Sequence, residues 1–346
     1  MKKKTTIHDI AENLHVTAST VSRALNNNPR ISLKTRKLVQ QAAIKLNYQP
    51  NNIAAALRSG KSNILGIIVP TADRSFFSSV IYGIEEIANT AGFNVMICQS
   101  HDNYENEVDK VQALLNAGVD GVIVSYAKET KDFKHFKKLI NNGTPLILFD
   151  RSTNELEVSQ VVIDDYLGSY MATEHLISQG YLRIAHFTSN AKISIYKDRL
   201  RGYQEALEAH GIPFDEELIF ESNLQLEDGR ASMLEILGKG LKVDALVSAS
   251  AMGAMGAMQV LKEHKIKIPD QFGIVGFANE TFMSFTDPPL STVEQHSKRI
   301  GNSAAELFLQ EIASSQSKFI PQKIVLKPEL IIRESSVRTG EELKKI

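Results

Sequence analysis

Along the first fifty residues the apolar positions recur at helical spacing. Ile7, Ile10, Ala11 and Leu14 form one stripe; Val21, Ala24 and Leu25 resume it after a break at His15–Val16. A third stripe starts near Ser32 and runs through Leu38, Val39, Ala42, Ala43 and Leu46, after an Asn26-Asn27-Asn28-Pro29 turn. Three short helices are predicted. Residues 50–59 add a short helix-prone piece bounded by Pro50 and Gly60, and 59–63 are small and polar like a linker. From residue 64 short apolar runs alternate with amphipathic stretches. The runs are 64–69, 95–97, 121–124, 145–149, 161–163, 184–187, 245–247 and 274–277. Helices are expected near 77–91, 105–117, 132–142, 166–179, 199–210, 227–238, 254–264 and 297–313. Such alternation means parallel sheet with crossover helices. Eight strands over this length suit two α/β lobes. A single barrel is the competing architecture, but the run at 161–163 follows Asp150 with no helix between, which interrupts a barrel's rhythm.

A chain of 346 residues with 43% hydrophobic content can build two or three domains. Its net charge of −1 hides an asymmetry. Residues 1–62 carry eleven Lys and Arg against two acids, a balance of +9, while the rest carries 28 basic and 38 acidic residues, a balance of −10. A basic, periodically patterned head on an acidic body points to a polyanion partner for the head. The one cysteine, Cys98, permits no internal disulfide. No secretory pattern follows the N-terminal lysines, and no apolar run approaches a membrane span. A soluble cytoplasmic protein without membrane association is expected.

The head's spacing suits a helix-turn-helix. Ala11 allows close helix approach, Val16 fills the turn, Val21 packs the second helix back, and His15 takes a position needing a left-handed backbone. The second helix then presents Thr17, Ala18, Ser19, Ser22 and Arg23 to base edges, while Arg30, Lys34, Arg36 and Lys37 hold phosphates. A three-helix protein-binding module has the same pattern, but the +9 charge weighs against it. Leu57 beside Arg58, on a segment of small residues with Ala54, Ala55 and Ala56, suits a minor-groove wedge; a buried leucine on a connector is the plainer reading.

With these segments in view the chain resembles the LacI/GalR family of bacterial transcriptional regulators. The resemblance is carried by TIHDIAENLHVTASTVSRALN, TRKLVQQAAIKLNYQPNNIAAALRSGKSNILGIIVP, LLNAGVDGVIVS, PLILFDR, RLRGYQEAL, IPDQFGIVGFANE and PPLSTVEQHSKRIGNSAAELF, in order along essentially the whole chain. It implies an all-α helix-turn-helix headpiece (1–49), a hinge helix and linker (50–62), and an α/β core of two doubly wound lobes like a periplasmic binding protein (63–333). It implies three crossings between an N-lobe of about 63–161 plus 291–320 and a C-lobe of about 162–290 plus 321–333, then a tail at 334–346. It further implies a homodimer on palindromic operator DNA, with Leu57 as the wedge. The ending RTGEELKKI is short for a heptad coil, so nothing larger than a dimer is expected.

The resemblance also implies a small-molecule effector, carbohydrate-derived, between the lobes. Phe76, Phe77, Ser125, Asp150, Arg199 and Leu224 match family positions that line that cleft. Two departures stand out. A polar pair usual before the AMGAM helix reads Ser250-Ala251, and the acid usual after Gly-Phe is Ala278, followed by Asn279 and Glu280. Ser250 and Asn279 are carried as candidates. With two acceptors missing, Lys197 and Arg199 would favour an anionic ligand such as a sugar acid or phosphorylated sugar, although Lys197 reads more readily as a solvated helix residue. The expected function is a sequence-specific regulator, a repressor by family habit, controlled by a sugar or sugar derivative. An exported sugar-binding protein shares the core but lacks the headpiece. A dinucleotide enzyme is disfavoured because GAMGAM at 253–258 is not a GxGxxG turn. No catalytic arrangement, metal-ligand spacing or cofactor motif stands out, and His175, His186, His264 and His296 are scattered.

Overall fold

The computed structural model describes residues 5–48, 61–190, 192–314 and 319–338. The chain divides into two units, 1–62 and 63–346.

In the first unit helices α1 (Ile7–Leu14), α2 (Ala18–Leu25) and α3 (Leu33–Lys45) enclose one small core of Ile10, Ala11, Val21, Ala24, Val39, Ala42 and Ala43. Each start is fixed by a side chain that satisfies an orphan amide: Thr6 with Asp9 in a reciprocal box, Thr17 for Thr20, and Ser32 for Thr35. His15 ends α1 at φ 53°, the left-handed turn that the pattern required. The hinge segment, with Leu57 and Arg58, lies outside the described residues.

The second unit holds two six-stranded sheets, which excludes the barrel. The first sheet has the order β11-β5-β4-β3-β1-β2, with β1 Ile64–Val69, β2 Asn94–Gln99, β3 Gly121–Val124, β4 Leu146–Phe149, β5 Ser159–Ile163 and β11 Lys323–Leu326, all parallel. The second has the order β12-β10-β9-β8-β6-β7, with β6 Ile184–Thr188, β7 Ile219–Glu221, β8 Ala245–Ser248, β9 Gly273–Phe277, β10 Ser291–Glu294 and β12 Glu329–Ile331. Only β12 runs antiparallel to its neighbour. Helices α4 (Ser75–Thr90), α5 (Tyr104–Ala117), α6 (Lys134–Asn141) and α11 (Ser297–Ala313) clothe the first sheet; α7 (Asp165–Ser178), α8 (Ser194–Ala209), α9 (Leu226–Gly238) and α10 (Ala251–Glu263) clothe the second.

The lobe boundaries differ from those expected. The crossings follow Ile163, Glu294 and Leu326, because β10 pairs with β9 in the second lobe and β11 with β5 in the first. The expected division placed β10 and β11 in the opposite lobes. Residues 334–338 are not a free tail either. Ser335 and Ser336 are fully buried; Ser335 donates to the Ile274 carbonyl at 2.7 Å, and Ser336 bonds His175 Nε2 at 2.7 Å. The GAMGAM run has a packing role. A Cβ on Gly256 would lie 2.1 Å from the Leu226 carbonyl oxygen, and one on Gly229 would lie 2.2 Å from that of Gly253, so α9 and α10 meet backbone to backbone.

Candidate functional site

On the headpiece, α2 buries Val21 and Ala24 and turns Thr17, Ser19 and Arg23 to solvent. Thr17 does two jobs: its hydroxyl accepts the Thr20 amide at 3.2 Å and pairs with that of Ser19 at 2.9 Å. Ala18 is half-buried and packs on the headpiece core instead of standing fully outward. Ser22 is also half-buried, whereas Arg30 and Lys34 are exposed, as phosphate contacts require. Arg36 departs from its expected role. Its Nε donates to the Ile31 carbonyl at 3.0 Å and its Nη1 to that of Asn27 at 3.4 Å, so it clasps the turn between α2 and α3.

The core's main cleft opens between its lobes, at the carboxyl ends of both sets of strands, where open α/β sheets bind ligands. Three residues of its lining hold left-handed backbones without being glycine: Asp150 (φ 62°), Leu224 (φ 61°) and Ala278 (φ 70°). Strain of this kind, on the order of 1–3 kcal/mol each, persists where surrounding packing enforces it, and it gathers at functional sites.

Asp150 follows β4 and lines the cleft. Ser125 does not line it. It is fully buried behind Asp150 and donates to Asp150 Oδ2 at 3.1 Å, so it positions the carboxylate. Burial pushes the Asp150 carboxyl above its ordinary range, against the pull of Arg151 and Arg199. Arg151, 3% exposed, donates from Nη1 to Asp102 and to the Tyr126 carbonyl, both at 2.5 Å, while its buried Nε has no partner among the described residues. From the other lobe Arg199, also 3% exposed, meets Asp165 Oδ1 through Nε at 2.7 Å and Nη2 at 2.6 Å. Its Nη1 donates to the Ala249 carbonyl at 2.8 Å, and its guanidinium lies 4.1 Å from the Phe277 ring centre. Burial pushes the Asp165 carboxyl up to about 7 even though Arg199 pulls it down.

Phe76, Phe77, Leu224 and Ser250 line the cleft. Phe76 meets Phe77 edge to face at 5.1 Å, making a rigid aromatic wall. Ser250 adds little free polarity. Its hydroxyl caps α10 at Met252 and donates to the Leu224 carbonyl at 3.2 Å. Asn279 does not line the main cleft. It bridges Glu294 at 2.9 Å and Arg333 at 2.7 Å beside a smaller adjoining hollow. Lys197 is exposed and also outside the lining, so it does not bias the cleft's charge as expected.

The structure adds Arg74, Arg151, Tyr196, Glu280 and Gln295 to the lining. Arg74 had a sequence signal: it immediately precedes the helix that carries Phe76 and Phe77. Gln295 had none, because β10 was not recognised. Across the mouth, Lys128 Nζ donates to the Asn223 carbonyl at 3.3 Å, and Ser152 meets the Ser194 hydroxyl through its amide at 3.3 Å, tying the lobes directly.

Residues 62–328 match the family model described as periplasmic binding proteins and sugar binding domain of the LacI family, and residues 6–51 match the model for bacterial regulatory proteins of the lacI family. The chain belongs to the LacI family of bacterial transcriptional regulators. This LacI-family regulator is 33% identical over 335 residues to the HTH-type transcriptional regulator DegA of Bacillus subtilis, covering 96% of this chain and 98% of that one. It is 29% identical over 336 residues to the HTH-type transcriptional repressor PurR of Actinobacillus pleuropneumoniae serotype 3, covering 95% and 98%. Among solved structures it resembles the lac repressor dimer bound to operator and the anti-inducer ONPF, with a TM-score of 0.86, 24% identity and coverage of 97% and 100%. It also resembles the CelR–cellobiose complex, with a TM-score of 0.72, 27% identity and coverage of 96% and 100%. No helix among the described residues is long and apolar enough to cross a membrane, and none of their His, Cys, Asp and Glu side chains gather in threes as a metal ion would need.

Proposed function

We propose that this regulator is a homodimeric repressor that binds palindromic operator DNA through its headpiece and is controlled by a carbohydrate-derived effector in the interlobe cleft. The observation that carries the effector half is the cleft itself: each lobe contributes one buried, ion-paired arginine, Arg151 and Arg199, to a single space. A ligand touching both favours one lobe orientation, and by linkage it changes DNA affinity only as far as it distinguishes the two orientations. Relatives support the class of ligand and partner: CelR is described with cellobiose, and a LacI-family regulator of Enterococcus faecium with bound ribose. The lac repressor is described as a dimer on its operator. The DNA half rests on the exposed face of α2, with Thr17, Ser19 and Arg23 at base edges and Arg30 and Lys34 on phosphates. Within the hinge, Leu57 acts as the minor-groove wedge and Arg58 holds a neighbouring phosphate. The protein is a binding switch and not an enzyme, and it works in the cytoplasm with the DNA it reads.

The test is fluorescence anisotropy on the palindrome nearest the gene's own promoter, repeated across a sugar panel. Binding at moderate salt that a panel member shifts is expected; no binding to any palindrome refutes the reading. Leu57→Ala should weaken operator binding strongly while leaving core unfolding unchanged, and unchanged affinity removes the wedge.

A further inference from the structure

The polar groups of the cleft are unevenly supplied. A guanidinium offers five N–H donors and no acceptor. Arg199 commits three of its own to Asp165 and Ala249, so two remain for a ligand. Arg74 stands at the start of α4, where no side chain caps the helix, and among the described residues its side chain meets no hydrogen-bond or ion-pair partner. The positive end of α4 adds to its charge. The opposite wall, from Ala249 to Ala251 and at Ala278, brings only the Ser250 hydroxyl, already committed. A neutral sugar brings hydroxyls that can accept from the arginines but carry no charge. Placed here, it would leave the charge of Arg74 without a counter-ion, and a partly desolvated cation without one is costly.

Gln295 is the second observation. It is 6% exposed, lines the cleft, and its amide has no hydrogen-bond partner among the described residues. Buried amides are ordinarily satisfied, so an open one facing a cavity marks a ligand contact. It sits on the crossing between β10 and α11.

We propose that the effector is a polyhydroxylated acid, its acid group seated on Arg74 and its hydroxyls on Asp150, Glu280 and Gln295. A carboxylate supplies acceptor oxygens without donors, which matches Arg74 and the two open N–H groups of Arg199, and the remaining acceptors suffice for hydroxyls. This rests on the cleft being the effector site.

The test is thermal unfolding of the full chain with matched neutral and acid probes: D-glucose against D-gluconate and D-glucuronate, D-galactose against D-galactonate and D-galacturonate. At least one acid should raise the midpoint while its neutral parent does not. Arg74→Gln should lower that acid's affinity about ten-fold or more, as loss of a charge-assisted hydrogen bond does, and leave the unliganded midpoint in place because Arg74 holds no partner. A neutral parent that shifts the midpoint as far as its acid overturns the proposal, as does an Arg74→Gln variant that binds the acid as tightly as wild type. Either result leaves the effector reading standing. No shift from any probe overturns both.

Discussion

Replacing His186 by phenylalanine should make the core less sensitive to acid. His186 lies on β6, fully buried, with Nδ1 3.0 Å from the Val247 carbonyl and its ring stacked on Tyr203 at 4.9 Å. The carbonyl accepts, so Nδ1 carries the proton, and the buried Nε2 has no partner among the described residues. Burial, aided by the charge of Arg199, lowers the pKa from 6.5 to about 3, although the bond to Val247 opposes this. Between those values the unfolded chain binds a proton that the folded core refuses. Stability from this group is therefore complete above 6.5 and is lost as pH falls toward 3. The full span corresponds to ~5 kcal/mol, and a step from pH 7.5 to 4.5 removes ~3 kcal/mol of it. His175, whose pKa burial also lowers, acts in the same direction, so the comparison must be between variant and wild type. Urea unfolding at both pH values is the assay. His186→Phe keeps the ring on Tyr203 but cannot titrate, and its loss on acidification should be smaller than wild type by that amount. His186→Gln, which retains a donor for Val247, should show the same flattening if Phe packs poorly. Equal losses in wild type and both variants would refute the assignment of a neutral buried ring.

Asp165→Ala should destabilise the core by about 3–5 kcal/mol, since it leaves the buried Arg199 guanidinium with only the Ala249 carbonyl; urea midpoints check this, and a loss under 1 kcal/mol would remove the ion pair from the account. Gly256→Ala should cost about 1–3 kcal/mol by forcing α9 and α10 apart, read as a lowered thermal midpoint, whereas an unchanged midpoint contradicts the backbone contact at Leu226. Thr17→Ala should lose a helix cap worth ~1 kcal/mol, and Thr17→Asn should restore it. Hydrogen exchange of the Thr20 amide reports the cap. Operator affinity that stays low in Thr17→Asn would assign Thr17 a reading role as well.

The headpiece was legible because its determinants are local. Caps, the left-handed turn at His15 and the apolar stripe all lie within one or two helical turns of each other. Arg36 marks the limit: exposed basic residues look alike in a sequence, and only the folded turn shows its Nε on the Ile31 carbonyl. In the core the eight apolar runs all fall in strands: seven are covered on both faces and so are apolar throughout, while the eighth, 95–97, lies in an exposed edge strand. The strands that were missed are edge or crossing strands. Lys323–Leu326 has a mostly exposed pattern, and its lobe is set by pairing with Gln160–Ile163, about 160 residues earlier. No local pattern encodes such a partner. Ser125 shows the same limit within the site. Its position at a strand end was legible, but whether it faces a ligand or stands behind Asp150 depends on a side-chain hydrogen bond.

Those long-range crossings decide how the cleft can act as a switch. Two of the three carry cleft chemistry. Asp165 begins the helix just after the first crossing and orients Arg199, while Gln295 sits on the second with its amide open to the cavity. Rotation of one lobe against the other is absorbed in the dihedral angles of these few connecting residues. Contacts made to Gln295 and Arg199 therefore change with lobe orientation more directly than contacts to Phe76 or Phe77, which ride rigidly on α4. A ligand held only by the aromatic wall would bind both orientations alike and transmit nothing, however tightly it bound. A ligand that also engages Gln295 discriminates between them. Substituting Gln295 by leucine should on this reasoning reduce the effector's influence on operator affinity more than it reduces effector binding itself, and a proportional loss of both would place the switch elsewhere.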